Sequence, residues 1–173
     1  MIKGGNGGGN TQTGIKFEER TDILTLLAQQ EGYLVRDRSV FFGDIEIAKS
    51  YKKGELYKLL KEHGVNYKDI ISKKLLPDDA ILVKGSNTLF IIEIKFQVTS
   101  GSVDEKLQTC DFKRKQYIRL LSPLGIDVEY IYVLNEWFEK PEYKDVLEYI
   151  KSVGCHHYFH FLPLEVLGLP VKK

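Results

Sequence analysis

A chain of 173 residues, 43% hydrophobic and 12% aromatic, is long enough to close one sizeable core and short for two, so a single domain over residues 1–173 is expected. With 25 Lys and Arg against 24 Asp and Glu, the net charge of +1 excludes a global pull towards polyanions, and any nucleic-acid site must be a local patch. No run approaches the ~20 apolar residues of a membrane span, the polar start lacks the apolar stretch of a secretory signal, and Cys110 and Cys155 match no metal or disulfide spacing, so a protein of the reducing cytoplasm is expected.

The opening "MIKGGNGGGNTQTG" reads either as a flexible tail or as a glycine-rich arm, residues 1–14, whose backbone N–H groups approach phosphate. Phe17, Ile23, Leu24 and Leu27 then fall on one helical face, predicting a helix from Ile15 to Gln30 that Gly32 stops. "YLVRDRSVFFG" alternates as a strand ending at Gly43. Residues 44–76 read as a basic, helical insertion between strands.

"DAILVKGSNTLFIIEIKFQ" is a hairpin, two strands joined by Gly-Ser-Asn, and its second strand is apolar enough to lie centrally. Ser102 and Glu105 have capping-box spacing and open a long helix that Pro123 and Gly125 end. "DVEYIYVL" is a strand, "PEYKDVLEYIKSVG" a helix between Pro141 and Gly154, and "HHYFHFL" a last strand. This order predicts the α/β class, a central mixed sheet flanked by helices.

Glu93 and Lys95 interrupt the buried run "LFIIEIKF", where charges seldom sit without a partner. Two positions apart on a strand, they point to one face, while Ile94 points to the other. The antiparallel hairpin brings Asp78 or Asp79, at the start of its first strand, beside them. Converging carboxylates repel unless a hard cation such as Mg²⁺ offsets the charge, and such an ion also acidifies water for attack on phosphate. A plain surface hairpin is the competing reading of these residues. In "HHYFH", His156 and His157 point to opposite faces and no Cys pair accompanies them, which disfavours zinc.

"PDD", thirteen residues, then "EIK", set among these elements from Phe17 to about Leu134, resembles the PD-(D/E)xK nuclease superfamily and within it the type II restriction endonucleases. The resemblance implies a restriction-endonuclease-like αβββαβ core and a restriction-modification role: Mg²⁺-dependent hydrolysis of double-stranded DNA at a specific sequence, leaving 5′-phosphates. It implies that Asp78 and Glu93 hold the metal, with the Ile94 carbonyl as a further ligand, and that Lys95 serves the attacking water. Asp79 competes with Asp78 for its role. Glu18 matches an acidic residue that many members place near the metal, with Glu19 as its competitor and a solvated first-turn acid as the alternative reading. A homodimer, or a monomer nicking twice, follows from double-strand cutting. A structure-specific DNA repair or junction-resolving nuclease of the same superfamily and a catalytically silent DNA-binding module are the alternatives.

Several polar residues are candidate DNA contacts on this reading: Asn10, Thr11 and Thr13 in the arm, Lys73 and Lys74 ahead of the motif, and Lys113, Arg114, Lys115 and Arg119 on the long helix. A solvated helix face explains the last group equally simply.

Overall fold

The computed structural model describes residues 13–18 and 21–172. Nine strands and five α-helices are found among them: β1 (Gly14–Lys16), α1 (Ile23–Ala28), β2 (Tyr33–Arg36), β3 (Ser39–Phe42), β4 (Ile45–Ser50), α2 (Glu55–Glu62), β5 (Asp79–Val83), β6 (Thr88–Lys95), α3 (Val103–Leu107), α4 (Cys110–Leu121), β7 (Asp127–Leu134), α5 (Lys144–Ser152), β8 (His156–Phe159) and β9 (Phe161–Pro163). Seven strands form one sheet in the order β2-β3-β4-β5-β6-β7-β8, and β1 pairs with β9 in a separate ribbon. β2 to β6 run antiparallel to their neighbours, whereas β6, β7 and β8 run parallel. The expected α/β class, a mixed sheet flanked by helices, is therefore observed.

Alternation along the central strands divides the apolar residues between two cores. On one face, Leu89 and Ile91 of β6 pack with Leu56 and Leu60 of α2, Tyr117 and Leu120 of α4 and Ile150 of α5. On the other, Phe90 and Ile92 pack with Ile23 and Leu27 of α1 and with Ile15 and Leu162 of the ribbon. Each such side chain, fully buried, contributes about 1.5–3 kcal/mol relative to exposure. Cys110 and Cys155 are buried free thiols in the first core.

Several expected boundaries move. Ile15 does not begin a helix; it pairs with Leu162, and α1 starts only where the Asp22 side chain accepts the Thr25 N–H at 3.1 Å and caps it. Gly14 is needed in that ribbon because a Cβ there would stand 2.7 Å from the Leu162 carbonyl oxygen, and closer still to the Phe161 ring. "YLVRDRSVFFG" is a hairpin rather than one strand, turning at Asp37, whose φ is 53°. Residues 44–76 are only partly helical: β4 occupies Ile45–Ser50 and is the strand that pairs with β5, leaving α2 and a 3-10 turn at Tyr67–Asp69 as the helical part. The long helix breaks into α3 and α4, and Ser102 makes no side-chain cap bond. "HHYFHFL" breaks at His160, φ 55°, so that β8 joins the main sheet and β9 joins β1.

The hairpin at the centre forms as expected. β5 pairs with β6 from Asp79 opposite Ile92 to Val83 opposite Thr88, and Asn87 takes the positive φ that its turn requires.

Candidate active site

Extending the β5–β6 register by one residue sets Asp78 opposite Glu93. The Asp78 N–H points at Glu93 Oε1, 3.4 Å away. Lys95 Nζ closes the arrangement, donating to Asp78 Oδ2 at 2.9 Å and to Glu93 Oε2 at 2.8 Å. Glu93 is 5% exposed, whereas the side chains of Lys95 and Asp78 are 16% and 48% exposed, so the triad runs from the core out to solvent. Behind Glu93 lie Tyr117, Tyr130 and Tyr132, whose hydroxyls are pushed to higher pKa first by burial and further by the Glu93 charge.

Burial works against the Lys95 ammonium, but Glu93 and Asp78 outweigh it and hold its pKa above the ordinary lysine value. Between these two carboxylates Lys95 is a hydrogen-bond donor. It can orient a water or hold a phosphate oxygen.

The structure separates Asp78 from Asp79. Asp79 lies on the other face of the sheet, 2% exposed, with Oδ2 accepting the Ile23 N–H at 3.0 Å and Oδ1 buried without a partner. Burial is the main cause that pushes its pKa up to about 6, and the Ile23 N–H partly opposes it. Asp79 thus anchors the start of α1 to the sheet, and Asp78 joins Glu93 and Lys95.

A cleft of about 480 Å³ opens beside the motif, lined by Asp78, Asp79 and Ile94 from the hairpin, Thr21 and Asp22 from the start of α1, and Lys52 and Lys53 from the turn after β4. Asp22, which sequence reasoning missed, is paired with Lys52 at 3.5 Å. Burial would raise its pKa, but the Thr25 N–H and Lys52 prevail and lower it. The signal was present: an Asp immediately ahead of Ile23, Leu26 and Leu27 is a helix N-cap pattern. Lys52 and Lys53 had no such signal, since only the β4–β5 pairing brings their turn to the motif.

Glu18 is not on a helix. It is exposed in the connection between β1 and α1, does not line the cleft, and its carbonyl accepts the Thr21 N–H at 3.2 Å. Glu19, Asn10 and Thr11 lie outside the described residues. Thr13 is fixed by its carbonyl to the Leu164 N–H at 3.1 Å and leads directly into β1, so the glycine-rich arm does not feed a helix N-terminus.

Among the cationic candidates, Lys73 is exposed, and Lys74 lies over the rings of Tyr57 and Tyr67 at 4.8 and 4.9 Å. Lys113 is half-buried on α4. Arg114 is not near the motif: it shares a cleft with Thr88 and Asp127, at the strand ends opposite Lys95, and packs on Gly154. Eight residues of β6 separate those ends by about 25 Å. Lys115 pairs with Asp111 at 2.7 Å, and Arg119 donates to the Ile70 carbonyl at 2.6 Å.

Among the described residues no group of three or more His, Cys, Asp or Glu could hold a metal ion by side chains alone. Asp78 and Glu93 are two carboxylates at one place, the oxygen chemistry that Mg²⁺ takes, and in the structure both are held by Lys95. No helix of the described residues is long and apolar enough to cross a membrane. Compared with known protein families, with curated proteins and with solved structures, the chain finds no match in any of the three.

Proposed function

We propose that the chain is a magnesium-dependent DNA endonuclease of the PD-(D/E)xK kind, of restriction type, which hydrolyses a phosphodiester of double-stranded DNA at a specific sequence. The observation that carries this reading is the three-way contact of Asp78, Glu93 and Lys95 at one end of the central hairpin. The order of elements supports it: α1, the antiparallel β4, β5 and β6, then α4 and β7 parallel to β6 is the order expected of a restriction-endonuclease-like αβββαβ core.

On this reading Asp78 and Glu93 would hold Mg²⁺, with the Ile94 carbonyl as a further oxygen. Magnesium, when bound, polarises the scissile phosphate and lowers the pKa of a bound water. Lys95, beside both carboxylates, would donate a hydrogen bond that orients the attacking water and steadies negative charge on the phosphate oxygens. Water adds to phosphorus, the P–O3′ bond breaks, and a 5′-phosphate and a 3′-hydroxyl remain. The buried seat of Glu93 fixes its carboxylate, which accepts from the Asp78 N–H and from Lys95.

Incubation of the purified protein with plasmid DNA and Mg²⁺ tests the proposal. Discrete fragments from the wild type, and none from Glu93→Ala, are expected. A protein that cuts no DNA with Mg²⁺ or Mn²⁺, or a Glu93→Ala variant that cuts as well as wild type, refutes the reading. Cleavage confined to branched DNA assigns the chain to junction resolution instead.

A further inference from the structure

Four non-glycine residues among those described have positive φ: Asp37, Lys53, Asn87 and His160. Asp, Asn and His enter this region readily, whereas a lysine seldom does, because its Cβ crowds the backbone there. Lys53 has φ 51°, yet its neighbour Gly54, which would adopt that conformation without strain, takes an ordinary helical φ of −70°.

Two hydrogen bonds hold Lys53 in place. The Tyr51 N–H donates to the Ala80 carbonyl at 2.8 Å and the Lys53 N–H to the Pro77 carbonyl at 3.1 Å. These bonds continue the β4–β5 pairing past its end and fix the lysine backbone against the residue preceding Asp78. The Lys53 side chain is exposed and lines the cleft that contains Asp78.

We infer that Lys53 is a phosphate-binding residue, its ammonium contacting the backbone of the nucleic-acid strand that passes the Asp78, Glu93 and Lys95 triad. The inference rests on the nuclease reading above and deepens it. Asp78 is the member of the triad that lines the cleft; Glu93 and Lys95 are not part of its lining. Of the charged residues there, Asp22 is paired with Lys52 and Asp78 with Lys95, whereas Lys53 has no ion-pair partner among the described residues. Its ammonium is therefore the cleft cation left to meet a phosphate. Strained backbone is retained at positions where location matters more than stability, and a lysine where glycine would fold more easily fits that pattern.

Binding of a labelled mixed-sequence DNA duplex, with Ca²⁺ as the cation and the duplex checked intact on gels, is measured for wild type, Lys53→Gly, Lys53→Asn and Lys53→Arg across a salt series. Loss of one phosphate contact makes the slope of log K against log salt shallower by about 0.9, and weakens binding about eightfold at about 0.1 M salt. Lys53→Gly and Lys53→Asn are expected to show both changes, Lys53→Arg neither. Lys53→Gly is also expected to unfold at the same temperature as wild type or higher, because glycine relaxes the turn. Gly and Asn variants with wild-type affinity and slope, in a protein that cuts plasmid with Mg²⁺, overturn the inference and leave the nuclease reading standing. A Lys53→Gly variant that unfolds at lower temperature overturns it in favour of a structural role. A wild type that neither binds nor cuts DNA overturns both.

Discussion

Replacing Asp79 by Asn should stabilise the protein at neutral pH and leave it unchanged in acid. The carboxyl is 2% exposed, one of its oxygens has no partner, and burial raises its pKa from 3.8 to about 6. A folded-state pKa above the unfolded value means that the native state binds more protons between the two, so stability falls as pH rises through that window and stays lower above it. The interval between 3.8 and about 6 corresponds to about 3 kcal/mol. Asn keeps a carbonyl oxygen for the Ile23 N–H and carries no charge. Urea unfolding of both proteins in EDTA, from about pH 4 to about pH 7.5, should show curves that coincide in acid and separate by up to about 3 kcal/mol at the upper end. In thermal melts each kcal/mol is about 2–4 °C for a domain of this size. A stability difference that does not change with pH, or a variant less stable than wild type at the upper end, would refute the assignment of a strained, buried charge to Asp79.

Other consequences are as direct. Lys95→Ala should lower plasmid cleavage about a hundred- to a thousandfold, read as single-turnover rates, because it removes the one donor held between Asp78 and Glu93. Ser50→Ala should raise stability by about 1 kcal/mol in urea melts, since the buried Ser50 hydroxyl has no partner to lose. Asn135→Ala should cost about 2–3 kcal/mol by the same measurement, because its amide bonds both the N–H and the carbonyl of Gln97, at 3.1 and 2.7 Å, just beyond the end of β6.

The parts of the molecule that were legible in the sequence are those fixed by neighbours along the chain. Gly85, Ser86 and Asn87 specify a turn, and the turn makes the start of β5 a neighbour of the end of β6, which brings the Asp78-Asp79 pair to Glu93 and Lys95. Which of Asp78 and Asp79 faces the triad was not legible, because one residue of boundary error reverses every side chain on a strand. Ile15 and Phe17, two apart, have strand spacing, but so short a stretch ahead of a helical pattern gains a partner only from Leu162 and Phe161, far along the chain. Asp22 and Lys53 reach the cleft by the docking of α1 and of the β4 turn, so composition around them carried no sign of their neighbours. Arg114 illustrates the converse: a cation close in sequence to a helix start can lie at the far end of the sheet from the motif.

The pairing of β1 with β9 also sets an order of events. Ile15, Phe17 and Ile23 belong to the same core as Leu162 and Leu164, so the layer that carries Asp22 cannot close until the last strand has arrived. Everything between them, including the hairpin with the triad, can pair first, since its contacts are more local. Asp78, Glu93 and Lys95 can therefore come together while the side of the cleft that carries Asp22 is still open, and the pairing of β1 with β9 is the step that completes it.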